Sequence, residues 1–267
     1  MANLTMRVRV SIDSQFDIIY QRSFRMRIRS ILLCLSALAV ITANTAGAVP
    51  LVANGSFELT TNGGNKQLSS KPVDDIHRTT LAGWTSSNGN DGGYNFVLDT
   101  SLITTWDSAI WIKKYESARE RGSVFASDAL YYPGVLSQAI SGLNPGASYV
   151  LSFDYAMGQQ VGFDGANLNN FWQVGFGDAK QDSKKLSIEN GGFSGWQTAT
   201  MKFTAESAEQ VLSFLALSNS PGAPPFMLLD NVNLRADVPE PSSISMMMLG
   251  GFGLLGFMAR RRKPAAQ

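Results

Sequence analysis

The chain has 267 residues and a formal net charge of +1, from 22 Lys and Arg against 21 Asp and Glu. A single His, His77, and a single Cys, Cys34, exclude sites built on several histidines, an intrachain disulfide and Cys-based metal clusters. The near-neutral total hides a partition, because residues 1–48 carry +4 and residues 239–267 carry +3, which leaves −6 on residues 49–238. An acidic body between basic ends lacks the clustered positive charge that phosphate backbones require, so nucleic acid is excluded as a partner.

At the N-terminal end, Arg25, Arg27 and Arg29 precede an apolar run at residues 31–43, and Ala46-Gly47-Ala48 follows it. A basic segment, a short apolar segment and an A-x-A site together read as a secretory signal, too short to be a spanning helix. The signal region is expected over residues 1–48, with signal peptidase reading Ala46 and Ala48 and cutting after Ala48. A start at Met26 would give a signal of ordinary length and is expected to be the translation start. Cys34 falls inside the apolar run, so the exported body is expected to contain no cysteine.

The body, residues 49–237, is low in charge and rich in Gly, with short runs of β-branched and aromatic residues between turn signals. Strands are predicted at residues 56–60, 81–85, 94–98, 134–140, 148–156, 171–177, 196–204, 210–217 and 226–235. Period-two alternation puts Tyr149, Leu151, Phe153 and Tyr155 on one face, and Trp172, Val174 and Phe176 on another. Asn144-Pro145-Gly146 and Pro221-Gly222 supply turn chemistry. The one helical candidate is residues 108–121. Many short strands without alternating helices predict an all-β, antiparallel sandwich or barrel able to bury one core without disulfides. In the last strand, Phe226, Leu228, Val232 and Leu234 share the parity of Asp230, which predicts a carboxylate turned toward apolar neighbours.

In order along the body stand Asn54-Gly55-Ser56-Phe57-Glu58, Gly83-Trp84-Thr85, Leu136-Ser137-Gln138-Ala139-Ile140, residues 146–154, and Leu229-Asp230-Asn231-Val232-Asn233-Leu234. This order resembles galactose-binding-like jelly-roll domains, which include many carbohydrate-binding modules. The resemblance implies a jelly-roll β-sandwich. It also implies a structural Ca²⁺ held with the help of Glu58 and Asp230; no other cofactor is expected. Sugar recognition uses flat aromatic faces beside a few polar groups. Trp106, Trp111, Tyr115, Tyr131, Tyr132 and Trp172 are the candidate platforms, with Asn167, Asn169 and Asn170 beside the last, whereas Trp84 and Trp196 are expected in the core. No catalytic residue is assigned. There is no G-x-S-x-G elbow, and although Asp74, Asp75, Asp91, Asp128, Asp154 and Asp164 supply acids, sequence does not pair them across a cleft.

At the C-terminal end, Pro239-Glu240-Pro241 leads into an apolar stretch at residues 244–259 that stops at Arg260, Arg261, Arg262 and Lys263. Sixteen helical residues rise about 24 Å. The stretch is predicted as a single C-terminal transmembrane helix, with the cluster as a positive-inside stop. Proline-glutamate-proline, a short span and an arginine cluster, over residues 238–267, resemble the PEP-CTERM sorting signal of Gram-negative bacteria, also named for the C-terminal domain of ice-binding proteins. The resemblance implies recognition by an exosortase, an inner-membrane-anchored precursor, and delivery to the cell surface or extracellular matrix. It implies no ice binding, for which there is no regular Thr-x-Thr array. The expected protein is an exported, non-catalytic β-sandwich that binds carbohydrate of the extracellular polysaccharide. A carboxylate-dependent glycoside hydrolase and a purely structural biofilm protein stand as the alternatives.

Overall fold

A computed structural model describes residues 50–237, apart from residues 90, 117–121 and 220–221. The expected signal segment and C-terminal helix lie outside the described residues, and none of the described residues forms a helix long and apolar enough to cross a membrane.

The described body is all β. One sheet has seven strands: β1 (Lys66–Leu68), β2 (Arg78–Thr79), β4 (Asn95–Asp99), β5 (Ser123–Asp128), β7 (Ser148–Gln159), β11 (Gln197–Thr204) and β13 (Pro225–Ala236), in the order β11-β7-β13-β5-β4-β1-β2. The second contains β3 (Thr85–Ser87), β6 (Val135–Ser141), β8 (Asn167–Phe176), β10 (Leu186–Ile188) and β12 (Glu209–Ser218), in the order β10-β8-β12-β6-β3, with β9 (Ala179–Asp182) paired to β8. The pairings are antiparallel except for β1 with β2. The two sheets pack face to face as a β-sandwich. Tyr149, Leu151, Phe153 and Tyr155 of one sheet share a core with Trp172, Val174, Phe176, Leu212 and Phe214 of the other, so the alternation legible in β7 and β8 marks this interface.

A second, smaller core lies on the opposite side of the seven-stranded sheet. Phe96, Leu98, Val124, Ala126, Ala156, Phe226 and Leu228 meet Ile103, Ile110 and Ile112 there, with Phe193 and Trp196 packed at its edge. This layer explains two departures from the sequence reading. Residues 108–116 form no helix: Ile112 bridges to Gln160, Lys113 N donates to Gln159 O, and Lys114 has a φ of 48°. Strand β5, absent from the predicted set, is buried on both faces, so it shows no polar alternation. Strands β1, β2, β9 and β10 are likewise additions, each two to four residues long.

The predicted strand at residues 56–60 is instead an irregular turn with only a bridge from Thr60 to Leu81. Asn54 and Phe57 hold positive φ angles of 50° and 60°. The Asn54 side chain ties the turn, accepting from Leu59 N and donating to Leu59 O and Ala82 O. The last strand departs from the expected single parity as well. Between Asp230 and Asn233 the register against β7 shifts by one residue, and Asn231 has a φ of 52°. This bulge puts Phe226 and Leu228 in the outer core while Val232 and Leu234 face the inner one. Asp230 is buried at 7% exposure, opposite Asp154 in the register.

From β3 onward the chain mostly alternates between sheets, so its connections bridge the sandwich at its two ends. Residues 88–89, 91–94, 129–134, 160–166 and 222–224 gather at one end, as the registers Asp128 with Phe226, Gln159 with Pro225, Asn95 with Ser127 and Asn170 with Ser218 show.

Candidate binding pocket at the loop end

At that end a cavity of about 340 Å³ is lined by Tyr94, Asp128, Leu130, Tyr131, Gln160, Phe163, Gly222 and Pro224. The residues come from four separate chain segments. Tyr131 and Phe163 stand at its mouth, 64% and 44% exposed. Tyr94 packs edge-on against Tyr131, with ring centroids 5.6 Å apart at 88°, and roots the pocket in the outer core through Phe96 and Phe226.

Asp128 is the fully buried polar group of this lining. It ends β5, where the chain turns into loop 129–134, and its Oδ1 accepts the amides of Leu130 at 2.8 Å and Tyr131 at 2.9 Å. That turn fixes the loop and aims Tyr131. Oδ2 has no hydrogen-bond partner among the described residues. Burial pushes the Asp128 carboxyl above the usual carboxylate range, against the pull of the two amides. The Tyr94 phenol is also raised, first by burial and then by the charge of Asp128, partly opposed by a hydrogen bond with Gln160. It is therefore a neutral hydroxyl at physiological pH.

The loops are held before any ligand arrives. Tyr132, with a φ of 53°, accepts Tyr94 N at 2.8 Å through its carbonyl, and Asn88 Nδ2 donates to Pro133 O at 2.8 Å. Backbones cross so closely that a Cβ on Gly134 would lie 2.4 Å from Gly92 O, which requires glycine there. The Phe163 carbonyl accepts from Gln159 Nε2 at 3.0 Å and from Lys113 Nζ at 2.6 Å. Further buried polar atoms without a partner among the described residues cluster at the same end of the strands: Ser127 Oγ and the side-chain amides of Asn167 and Asn170.

The candidates from sequence divide by position. Tyr131 lines the pocket and Tyr132, 66% exposed, stands beside it with ring centroids 6.0 Å apart. Trp106 is 83% exposed and contacts the half-buried Trp111 at a centroid distance of 3.8 Å. Both belong to the segment that covers the outer core, and Trp111 O accepts Val161 N next to Gln160. Tyr115 packs against Phe193. Trp172 is corrected: it is fully buried, its Nε1 donates to Leu228 O at 3.2 Å, and it contacts Phe125 and Phe214, so it presents no face to a ligand. Trp84 is buried in the inner core as expected, whereas Trp196 is only partly buried against the outer one.

Tyr94, Gln160 and Phe163 were missed as site residues, and Asp128 stood only among unplaced acids. The glycines flanking Phe163 were the available signal, marking an exposed aromatic in a turn.

The proposed Ca²⁺ ligands sit near the bulge of β13. Val232 N donates to Gly55 O, which seats the turn carrying Glu58 beside that strand. Glu58 Oε1 accepts Ser123 N at 2.7 Å, and Asp230 Oδ1 accepts Asn231 N at 2.7 Å. The described residues contain no group of three or more His, Cys, Asp or Glu side chains able to hold a metal. Two carboxylates such as Glu58 and Asp230 offer at most four of the six to eight oxygens Ca²⁺ takes.

Of the other acids, Asp91 pairs with Arg78 at 3.3 Å and Asp164 with Lys113 at 3.2 Å. Asp75 accepts His77 N at 2.8 Å, and Asp154 accepts from Thr198 Oγ1 at 2.5 Å and Asn231 Nδ2 at 3.1 Å.

Among known proteins, residues 237–263 match the PEP-CTERM protein-sorting motif. A 212-residue stretch, 77% of this chain, is 28% identical to halomucin of Haloquadratum walsbyi and spans 2% of that protein's length. Similar solved structures include TmCBM61 in complex with beta-1,4-galactotriose, at 13% identity and a TM-score of 0.39, covering 71% of this chain and all of that one. Another is the N-terminal cellulose-binding domain of Cellulomonas fimi β-1,4-glucanase C, at 13% identity and a TM-score of 0.25, covering 43% of this chain and 80% of that one. The chain thus carries a sorting signal at its C-terminal end and a β-sandwich body ahead of it.

Proposed function

We propose that the protein is an exported, non-catalytic binding module that holds carbohydrate of the extracellular polysaccharide in its loop-end pocket. The observation that carries this reading is the convergence of Tyr94, Tyr131 and Phe163 with Asp128 and Gln160 around one open cavity. Aromatic faces cover the apolar side of a sugar ring, while a carboxyl and an amide take its hydroxyl groups. The cavity volume lies near the lower end for ligand sites, which suits a chain end or a short stretch of polymer. Paired-carboxylate hydrolysis needs two acids flanking the bond, and the lining contains one, which favours binding over hydrolysis. The sorting motif supports export through an exosortase and deposition at the cell surface.

Affinity electrophoresis of the purified protein in gels containing soluble polysaccharides tests the reading. Retardation is expected by at least one polysaccharide, and Tyr131→Ala and Phe163→Ala should each weaken it about tenfold, the scale of about 1–2 kcal/mol for a lost stacking contact. A wild-type protein that no polysaccharide retards, or release of reducing ends from any of them, would sink it. A thermal melt with Ca²⁺ and with chelator tests the separate proposal that Glu58 and Asp230 hold a structural ion. The midpoint should rise with Ca²⁺ and the rise should vanish in Glu58→Gln, whereas an unmoved midpoint removes the ion.

A further inference from the structure

We propose that the loop-end pocket selects a sugar with a free, protonated amine, a hexosamine unit of a polysaccharide, over neutral sugars, with Asp128 Oδ2 as the counter-ion. The inference rests on the carbohydrate-binding reading and names the ligand class for that site.

An ionised carboxylate taken out of water is costly unless it is paired. Asp128 is fully buried, its Oδ1 is committed to two neutral amides, and its Oδ2 is unpartnered among the described residues. None of the lining side chains is cationic. Lys113, which reaches the same loop, is held by Phe163 O and by Asp164. Among the described residues no cation faces this carboxyl, and burial raises its pKa, so its ionised form has no counter-charge at the pocket.

A sugar hydroxyl would satisfy the geometry of Oδ2 but leave the charge uncompensated. A protonated amine satisfies both and forms the stronger, charge-assisted hydrogen bond. The rings at the site point the same way, because the faces of Tyr94, Tyr131 and Phe163 attract a cation as well as a sugar's C–H surface. An N-acetyl group on the same nitrogen removes the charge and adds bulk, so acetylated and free amino sugars are opposite cases for this pocket.

Calorimetric titration of the purified protein with a β-1,4-glucosamine hexamer, an N-acetylglucosamine hexamer and cellohexaose, at physiological salt, tests the proposal. The free-amine hexamer should bind at least about tenfold more tightly than either neutral one, as expected for a hydrogen bond to a charged group. Asp128→Asn keeps an acceptor for the Leu130 and Tyr131 amides while discharging the site, and should bring the three affinities within about threefold. Its circular dichroism spectrum and melt confirm that it is folded. Glu209→Gln removes an exposed charge on β12 and should leave the preference intact, which separates pocket selection from general attraction to an acidic body. Neutral hexamers that bind as well as the free amine, or a preference that survives Asp128→Asn or disappears in Glu209→Gln, would overturn amine selection and leave carbohydrate binding standing. If wild-type protein binds none of the three and no polysaccharide retards it, both readings fall.

Discussion

Asp128 uses its two oxygens differently: Oδ1 organises the turn that carries Tyr131, and Oδ2 is buried without a hydrogen-bond partner among the described residues, in a residue that lines the cavity. This division has a consequence for stability. The folded protein binds the Asp128 proton more tightly than the unfolded chain does, because burial raises the carboxyl's pKa. Burying the acid therefore costs nothing below the unfolded pKa of about 3.9, and the cost grows as pH rises through the folded value. Asp128→Asn should accordingly melt at a higher temperature than wild type at neutral pH, with the difference closing as pH falls toward 4. Equal melts at both pH values would show that the carboxylate is compensated by a group outside the described residues. Little of this was legible beforehand. Asp128 was one of six candidate aspartates among the 21 Asp and Glu of the sequence, and nothing local distinguishes it until Tyr94, Gln160 and Gly222 are brought to it from distant segments. Tyr131 and Tyr132 were legible because two adjacent aromatics before Pro133-Gly134 cannot both be buried in a turn. Trp172 misled for the opposite reason: the neighbouring asparagines suggested a polar surface, yet Asn167 and Asn170 are themselves buried.

At the scale of elements, legibility follows how many faces of a strand are buried. Strands β7, β8 and β12 have one face in the inner core, and their alternation shows it. Strand β5 lies between the inner and outer cores and reads as a plain apolar run. The outer core also accounts for residues 108–116, whose isoleucines pack as an irregular cover while their backbone bonds run to β7 and the loop after it. Strand β13 combines both cases, and its bulge is what reconciles them. Before the bulge its two faces serve two cores; after it Val232 and Leu234 return to the inner one, and Asn233 and Arg235 face outward. Because side chains alternate with period two, the extra residue is what lets Val232 and Leu234 face inward although they share the parity of Phe226 and Leu228. Deletion of Asn231 should therefore give an unbroken ladder with Val232 and Leu234 still on the inner face, and cost well under the about 3 kcal/mol expected if two buried aliphatic side chains were turned to solvent. Asn231→Gly keeps the bulge and the positive φ and, like the deletion, removes the hydrogen bond to Asp154. Urea denaturation of the two variants checks this, and a loss of about 3 kcal/mol or more in the deletion but not in Asn231→Gly would mean that the faces after the bulge had been exchanged.

At the scale of the whole molecule, the +1 total is a sum over parts with different roles. The body, at −6, contains the pocket, while the cationic residues of the tail lie in the segment that matches the sorting motif. If sorting proceeds as proposed, the tail acts on delivery and the pocket on ligand, and each can be disabled without the other. Replacing Pro239, Glu240 and Pro241 together by alanine should leave the chain in the membrane fraction at the mass of the uncut tail, while the detergent-solubilised protein retains wild-type affinity for its polysaccharide. Tyr131→Ala should give the reverse, with normal processing and weakened affinity. Fractionation with mass spectrometry reads the first property, and affinity electrophoresis reads the second. A triple-alanine protein that is still cut and delivered would show that the Pro-Glu-Pro segment is not the address. Joint loss of both properties in either variant would show that pocket and tail are coupled, and that the charge partition is not a division of labour.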